Sequence, residues 1–387
     1  MSASWSSLNR DLFYKNIGRV VNVIQIKGKE LSYSDLYDAA SYTLHNCPTL
    51  RKYYMNDDSI SLCNLSLQPV IEIIKNENIN TIISKLLYKT SLDPPLWELT
   101  YVENTNKLIF SYHHLLVDGV SFIKVLDVLL QYIDGFKTSS NYVIENSVLP
   151  KTTHIRQILS GYSYHMFFIV SLYNKICGIP KSPIQLNNDD KCEFTDIKIT
   201  GIDLTNLLTK TKEKSLTIFG IVSAAFLISL DKHSLFNDYE CFLCNIGSSS
   251  KSICDPPISS NVTGLYTVSK MRLVYKKYMS DICILSKILS YSMKNKNRMD
   301  TLIPSSVQDR CPISISSRGR FNLKYDSFSI EHISTYLNMM KNHHFYLNFQ
   351  TINDVLSISL SYNKNILDNK DDIDTIMYTF KTLLLNF

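Results

Sequence analysis

The sequence predicts an α+β protein built as two successive halves, each alternating strands with helices. Three observations carry this expectation. Short runs rich in Val, Ile, Phe and Tyr alternate with segments whose apolar residues recur at helical spacing. Strand, tight turn and helix follow one another without a break from Lys107 to Gly135. A polar, turn-rich connection between about Asn141 and Asp190, punctuated by Pro150, Pro180 and Pro183, separates the two patterned regions. The halves are therefore expected at residues 1–180 and 181–387.

In the first half, VVNVIQIK (Val20–Lys27) reads as a strand. Ser32 is placed to cap a helix with Leu36, Ala39, Ala40 and Leu44 on one face. It leads into Cys47-Pro48-Thr49-Leu50-Arg51. Ile71 to Tyr88 carries helical periodicity, broken near Asn78. Asp93-Pro94-Pro95-Leu96-Trp97 is held extended by its prolines. In the stretch that follows, Leu108, Ile109, Phe110 and Tyr112 form a strand that exits into His113 and His114. Asp118-Gly119 is a turn signal. Phe122, Val125, Leu126, Leu129, Leu130 and Ile133 then recur at helical spacing, with Ser121 as the expected cap and Gly135 ending the run.

The second half opens on strand FTDIKITGIDL and helix LTNLLTKTKEK. A helix through Ile218, Ile221, Val222, Ala225, Phe226 and Leu230 is apolar enough to be almost fully buried, and Ala224-Ala225 allows close packing. ECFLCNI reads as a strand leaving into a Gly-Ser loop, Gly247 to Ser250, which lacks the lysine spacing of a phosphate-binding loop. A helix near Ser280–Met293, the strand CPISISSRGRFNL, strands FYLNFQTIN and VLSISLSYN and a last helix DDIDTIMYTFKTLLLNF complete the pattern. His343 and His344 are read as strand residues because no Asp-Gly follows them.

At 45% hydrophobic and 19% charged, the 387 residues can bury a sizeable core. The net charge of +5, from 40 basic and 35 acidic residues, is too mild for a nucleic-acid binder, and no basic run is interleaved with aromatics. Nine cysteines without a repeating spacing fit a reduced, cytoplasmic compartment. Cys241 and Cys244 form a lone CxxC that no second pair completes into a metal site. The N-terminus shows no apolar core of a signal peptide, and no stretch is long enough to span a bilayer. Tyr164–Tyr173 is the nearest candidate, expected as a core or lid helix or, alternatively, as a peripheral contact with endoplasmic reticulum or a lipid droplet.

The two adjacent histidines carry the chemistry. Neighbouring strand residues point to opposite faces, so one can enter a cleft while the other packs. A histidine neutral near pH 7 can accept a proton and return it.

HHLLVDG, with its second histidine, aspartate and glycine at His114, Asp118 and Gly119, resembles the HHxxxDG motif of a large acyltransferase superfamily. That superfamily includes chloramphenicol acetyltransferase, plant acyltransferases, peptide-synthetase condensation domains and fungal alcohol acetyltransferases. Other segments are similar in layout: RDLFYKNIGRVVNV, Pro48-Thr49-Leu50-Arg51, Pro95-Leu96-Trp97, the threonine-led helix with its Ala-Ala pair, and Asn261–Leu265. ISSRGRF resembles an S-N-L-G type element of the alcohol acetyltransferases, with Ser317-Arg318 replacing Asn-Leu. The plant branch's C-terminal DFGWG is absent.

The resemblance implies two chloramphenicol-acetyltransferase-like halves meeting along a central channel. It makes His114 the general base, Asp118 a structural brace, and His113 and Gly119 supports. Ser317, Arg318 and Gly264 become candidates near the substrate or oxyanion, and Arg51, Arg318 and Arg320 candidate partners for Asp118. The implied activity is transfer of an acetyl group from acetyl-CoA, a co-substrate, to a small alcohol, by a monomer with no bound cofactor or metal. An amine acceptor such as a sphingoid base or xenobiotic, a carrier-protein condensation role and a catalytically inactive binding protein are the alternatives. Because no carrier module follows the last helix, the condensation role is the less expected one.

Overall fold

The computed structural model describes residues 18–54, 60–62, 67–89, 93–114, 116–135, 192–233, 241–249, 267–294, 312–338, 344–363 and 370–387, with isolated positions 235, 263, 366 and 367. The connection at 141–190, including Tyr164–Tyr173, lies outside these residues, as do the N-terminal segment before Gly18, Gly264 and His343. No single helix among the described residues is long and apolar enough to cross a membrane.

The chain runs β1 (Arg19–Lys27), α1 (Tyr33–Asn46), β2 (Lys52–Tyr54), β3 (Ile60–Leu62), β4 (Ile71–Ile74), α2 (Ile79–Leu87), β5 (Trp97–Val102), β6 (Lys107–His113) and α3 (Gly119–Ile133). It continues with β7 (Cys192–Ile199), α4 (Gly201–Glu213), α5 (Ile218–Lys232), β8 (Cys241–Ser249), β9 (Thr267–Tyr275) and α6 (Ile282–Lys294). β10 (Ile313–Phe321), β11 (Ser329–Leu337), β12 (Phe345–Ile352), β13 (Val355–Asn363) and α7 (Lys370–Asn386) complete it.

The first sheet has the order β11-β1-β6-β5-β4. Its strands are apolar on both faces, and each face has its own helices. Val20, Ile24, Phe110 and Tyr112 share a core with Leu36, Ala39 and Ala40 of α1 and with Phe122, Leu126 and Leu129 of α3. Val21, Val23 and Ile109 pack instead on Ile82, Ile83, Leu86 and Leu87 of α2. As expected, Ser32 starts α1. Its Oγ accepts the Asp35 N–H at 3.1 Å while Asp35 Oδ2 accepts the Ser32 N–H at 2.9 Å, so two otherwise unsatisfied donors are paired.

The second sheet has the order β7-β13-β12-β10-β8-β9, and its two faces differ in chemistry. Ile313, Ile315, Leu347, Phe349, Ile358 and Leu360 form a core with Ile221, Phe226 and Leu230 of α5 and Phe380 of α7. The alternate residues are polar: Ser314 pairs with Tyr346 and Ser316 with Asn348, while Gln350, Ser357, Ser359 and Ser361 extend the face across β12 and β13.

That polar face meets the first half through β11. This strand follows β10 in sequence, yet it pairs with β1, from Val20 opposite Leu337 to Lys27 opposite Ser329. Its outer edge is satisfied by side chains of the second sheet. Gln350 Nε2 donates to Ile333 O at 2.9 Å. Ser359 Oγ accepts the Thr335 N–H at 3.0 Å and Ser361 Oγ that of Leu337 at 3.3 Å. An edge that would otherwise template aggregation is buried in this way.

Several local expectations are corrected. Ile71–Tyr88 is not one interrupted helix. Ile71–Ile74 is β4, paired parallel to β5 from Leu99 to Val102, and Asn78 then caps α2 through a bond to the Asn80 N–H at 2.8 Å. The β-branched isoleucines suit an edge strand as well as a helix face, and the partner decides. Gly247–Ser249 is not a loop but the end of β8, paired with β9 as far as Ser249 opposite Thr267. FTDIKITGIDL changes from strand to helix at Thr200-Gly201. His344 immediately precedes β12, with its N–H on Pro312 O at 2.7 Å. Cys244 is buried in β8, where burial pushes its thiol up to about 12.

α5 is buried along its length, as its composition requires. At Gly220 it approaches α6 so closely that a Cβ would lie 2.5 Å from Ser286 O, 2.6 Å from Ser286 Oγ and closer still to Ser290 Oγ. A backbone oxygen cannot swing away. Gly220→Ala is expected to destabilise the protein by about 1–3 kcal/mol, read as a lowered urea midpoint.

Candidate active site

The loop after β6 is held by two segments that precede it in sequence. The His113 N–H donates to Leu96 O at 2.8 Å, and the Leu116 N–H to His113 O at 3.0 Å. Thr49 Oγ1 donates to Leu116 O at 2.7 Å, and Trp97 Nε1 to Leu50 O at 3.1 Å. The Pro48–Arg51 turn and the Leu96-Trp97 step thus clamp the loop from below.

Asp118, not Ser121, caps α3. Its Oδ1 accepts the Ser121 N–H at 2.7 Å, and the helix begins at Gly119. Aspartate outcompetes serine here because its carboxylate reaches the free N–H groups of the first turn and suits the helix's positive end. Asp118 is buried.

The histidines diverge as strand alternation requires. His114 is half-buried, and its Nδ1 lies 3.1 Å from Val117 O. A carbonyl only accepts, so Nδ1 carries the hydrogen and Nε2 is left with its lone pair. Burial holds the imidazole below its ordinary pKa; Asp118 opposes that pull and Arg318 adds to it. His113 is buried under Gly18, where an added Cβ would stand 3.0 Å from its ring. Burial, then the charges of Arg19 and His114, bring its pKa down to about 3.

His113 therefore makes folding acid-sensitive. Its folded value is depressed below the ordinary 6.5, so its contribution is complete above 6.5 and is lost as pH falls toward about 3. A shift of that size corresponds to at most about 5 kcal/mol. His113→Phe is expected to flatten the fall in unfolding free energy between pH 7 and pH 4, measured by urea titration. His332, brought down to about 4 chiefly by burial, acts with the same sign and would remain.

Arg318 joins this loop to the second half. It stands where the register of β10 against β12 slips between Ser317 and Gly319, and Gly319 has a φ of +97°. Such a bulge re-aims a side chain. Arg318 crosses the seam, donating to Asn22 Oδ1 at 2.7 Å and, more weakly, to Gln350 Oε1 at 3.5 Å. Its guanidinium lies 5.2 Å from the centre of the Phe122 ring and feels the charge of Asp118. A Cβ at Gly119 would fall 2.8 Å from Arg318 Nε, so glycine is what lets α3 start beside that side chain. Of the three arginines considered for Asp118, Arg318 is brought to it, while Arg320 pairs with Asp354 at the exposed surface, 2.7 Å apart.

Ser317 is not on this side. It is in register with Phe349, so it shares the face packed by helices, and Ser316 takes the seam face beside Asn348. The residue-by-residue alternation of a strand separates them, because both positions precede the bulge and keep the regular register. Gly264 falls outside the described residues. Asn22, Tyr112, Tyr346 and Gln350 were not anticipated. Tyr112 was findable, since it lies on β6 only two residues before His114. Its ring stacks on Phe122 at 5.0 Å, and burial keeps its hydroxyl protonated. The other three come from β1 and β12 and carry no local signal.

No protein-family model and no curated protein matches the chain. Solved structures do. Trichothecene 15-O-acetyltransferase from Fusarium sporotrichioides superimposes with a TM-score of 0.72 at 11% identity, covering 99% of this chain and 94% of that one. The first condensation domain of the CDA synthetase gives 0.69 at 9% identity, covering 100% and 96%. The epimerization domain from the third module of tyrocidine synthetase B gives 0.67 at 14% identity, covering 100% and 95%. The fold is the two-lobed α+β architecture of condensation domains and chloramphenicol-acetyltransferase-like enzymes.

Proposed function

We propose that this protein is an acyltransferase that uses His114 as a general base in direct transfer from a thioester, with acetyl-CoA as the donor and an alcohol as the acceptor. The observation that carries the reading is the His114 Nδ1–Val117 O bond of 3.1 Å, which fixes the tautomer whose Nε2 can accept a proton. The likeness in fold to an O-acetyltransferase supports an acyl acceptor of the hydroxyl type.

In this mechanism Nε2 takes the proton of the acceptor hydroxyl as its oxygen bonds to the thioester carbon. The tetrahedral oxyanion needs a hydrogen-bond donor. Ser316, on the seam face, inherits the role first assigned to Ser317. The carbon–sulfur bond then breaks, and Nε2–H returns the proton to the leaving thiolate. His113 stays neutral and buried, and Asp118 holds the start of α3. Each of these steps uses side chains alone.

The test is release of free thiol from acetyl-CoA by purified protein. Release that requires an added alcohol supports the reading. Release indifferent to acceptor, or none at all across alcohols and amines, would sink it. Release with amines alone would assign the amine alternative.

A further inference from the structure

We propose that the acceptor is a small molecule carrying several hydrogen-bonding groups, bound against the polar face of β8 and β10, rather than a hydrocarbon alcohol. This rests on the acyl-transfer reading and names the acceptor class for the same site.

The seam face of the second sheet has a composition that its structural task does not require. Asn245 and Gly247 of β8, Ser314 and Ser316 of β10, and Tyr346 and Asn348 of β12 form adjoining rows in register. Over β12 and β13 such groups are used up by the outer edge of β11. Over β8 and β10 that strand does not reach, and Asn245, Gly247 and Ser316 are half-buried.

Two features there are unspent. Asn245 Nδ2 donates to Ser314 Oγ at 3.2 Å, while Asn245 Oδ1 is buried without a hydrogen-bond partner. Leaving such an oxygen unmet costs about 1–3 kcal/mol, so a hydrogen bond donated to it by a bound molecule would be recovered as affinity. Beside it, a Cβ built on Gly247 would meet only Ser316, at 3.4 Å, and Ile315 O, at 3.9 Å, among the described residues. The glycine leaves room above a row of donors and acceptors.

The face also leads to the chemistry. Arg318, next along β10, bonds Gln350 of β12 and Asn22 of β1 and abuts Gly119 in the His114 loop. A molecule lying on Asn245, Gly247 and Ser316 can thus present a hydroxyl toward His114. A hydrocarbon in that place would strip water from amides and hydroxyls and return no bonds. Sites built for hydrogen bonding reject partners that lack them by large factors.

The experiment compares sorbitol and N-acetylserinamide with 1-octanol as acceptors, using acetyl-CoA and thiol release. Wild type is expected to show a kcat/KM at least tenfold higher for one of the polar acceptors. Asn245→Leu, and separately Asn245→Ala, which adds no bulk to the strand, are expected to lower the polar-to-apolar ratio about tenfold, chiefly through KM. Preference of wild type for 1-octanol, or a ratio unchanged in both folded variants, overturns the proposal. Absence of thiol release with every acceptor would instead defeat the acyl-transfer reading. Calorimetric titration of His114→Ala with the same two polar probes then decides the wall by itself: binding weakened by Asn245→Leu supports it, and no binding overturns it.

Discussion

His114→Ala is expected to lower acyl transfer by about 10²–10⁴ while leaving the protein folded, because general-base catalysis is worth that much in rate. The structural loss is small. One bond from Nδ1 to Val117 O disappears, worth about 1 kcal/mol, and the loop keeps its clamps at Thr49 and Leu96. His113→Ala should do less to the rate and more to stability, since that ring fills the space beneath Gly18. The pH profile adds a sign. His114 is held below its ordinary pKa, chiefly by burial, so the neutral base predominates at pH 7 and the acid limb of the rate should lie below 6.5. Turnover near that of wild type in a folded His114→Ala protein would remove the catalytic assignment.

Asp118→Ala is expected to cost roughly 2–4 kcal/mol, with activity lost in proportion. Two effects combine. The cap on the Ser121 N–H is removed, and buried Arg318 loses its anionic neighbour. Asp118→Asn separates them, because asparagine caps as well as aspartate but carries no charge. Its cost should come mainly from the Arg318 side. It should also move the acid limb of the pH–rate curve downward, since Asp118 raises the pKa of His114. A thermal melt paired with that curve makes the distinction. A melt unchanged in both variants, with the limb abolished, would make Asp118 part of the catalytic pair rather than a brace.

Much of this site was legible because its parts are short and contiguous. Strand periodicity, Asp-Gly and helical spacing fall within Lys107–Gly135, and each is read from neighbours only. Even there the cap was misplaced, since Ser121 and Asp118 are both competent caps and the choice depends on where β6 releases the chain. Ser317 failed for a plainer reason. Ser316 and Ser317 are both small and polar, so composition does not say which of the two faces the seam, and the bulge begins only after Ser317, where it re-aims Arg318. Ile71–Ile74 failed because an isoleucine-rich edge strand and a helix face are compositionally alike until a partner strand is known. Asn22 and Gln350 could not be assigned at all, as each acquires its role from Arg318, which lies hundreds of residues from the first and on the strand next to the second.

The pairing of β1 with β11 has a consequence for the order of events during synthesis. β1 leaves the ribosome early, and its neighbour on one side, β6, follows soon after. Its neighbour on the other side is made only when Ser329–Leu337 emerges, with Ile330 and Ile333 completing the core that Leu36 and Phe122 began. The N-terminal sheet therefore cannot mature as a unit while the chain is growing. Contacts of such long separation form late and slowly, and an unfinished strand edge is prone to wrong pairings in the interval. Expression of residues 1–180 by themselves should give insoluble material, and supplying residues 181–387 in the same cell should bring it back into solution.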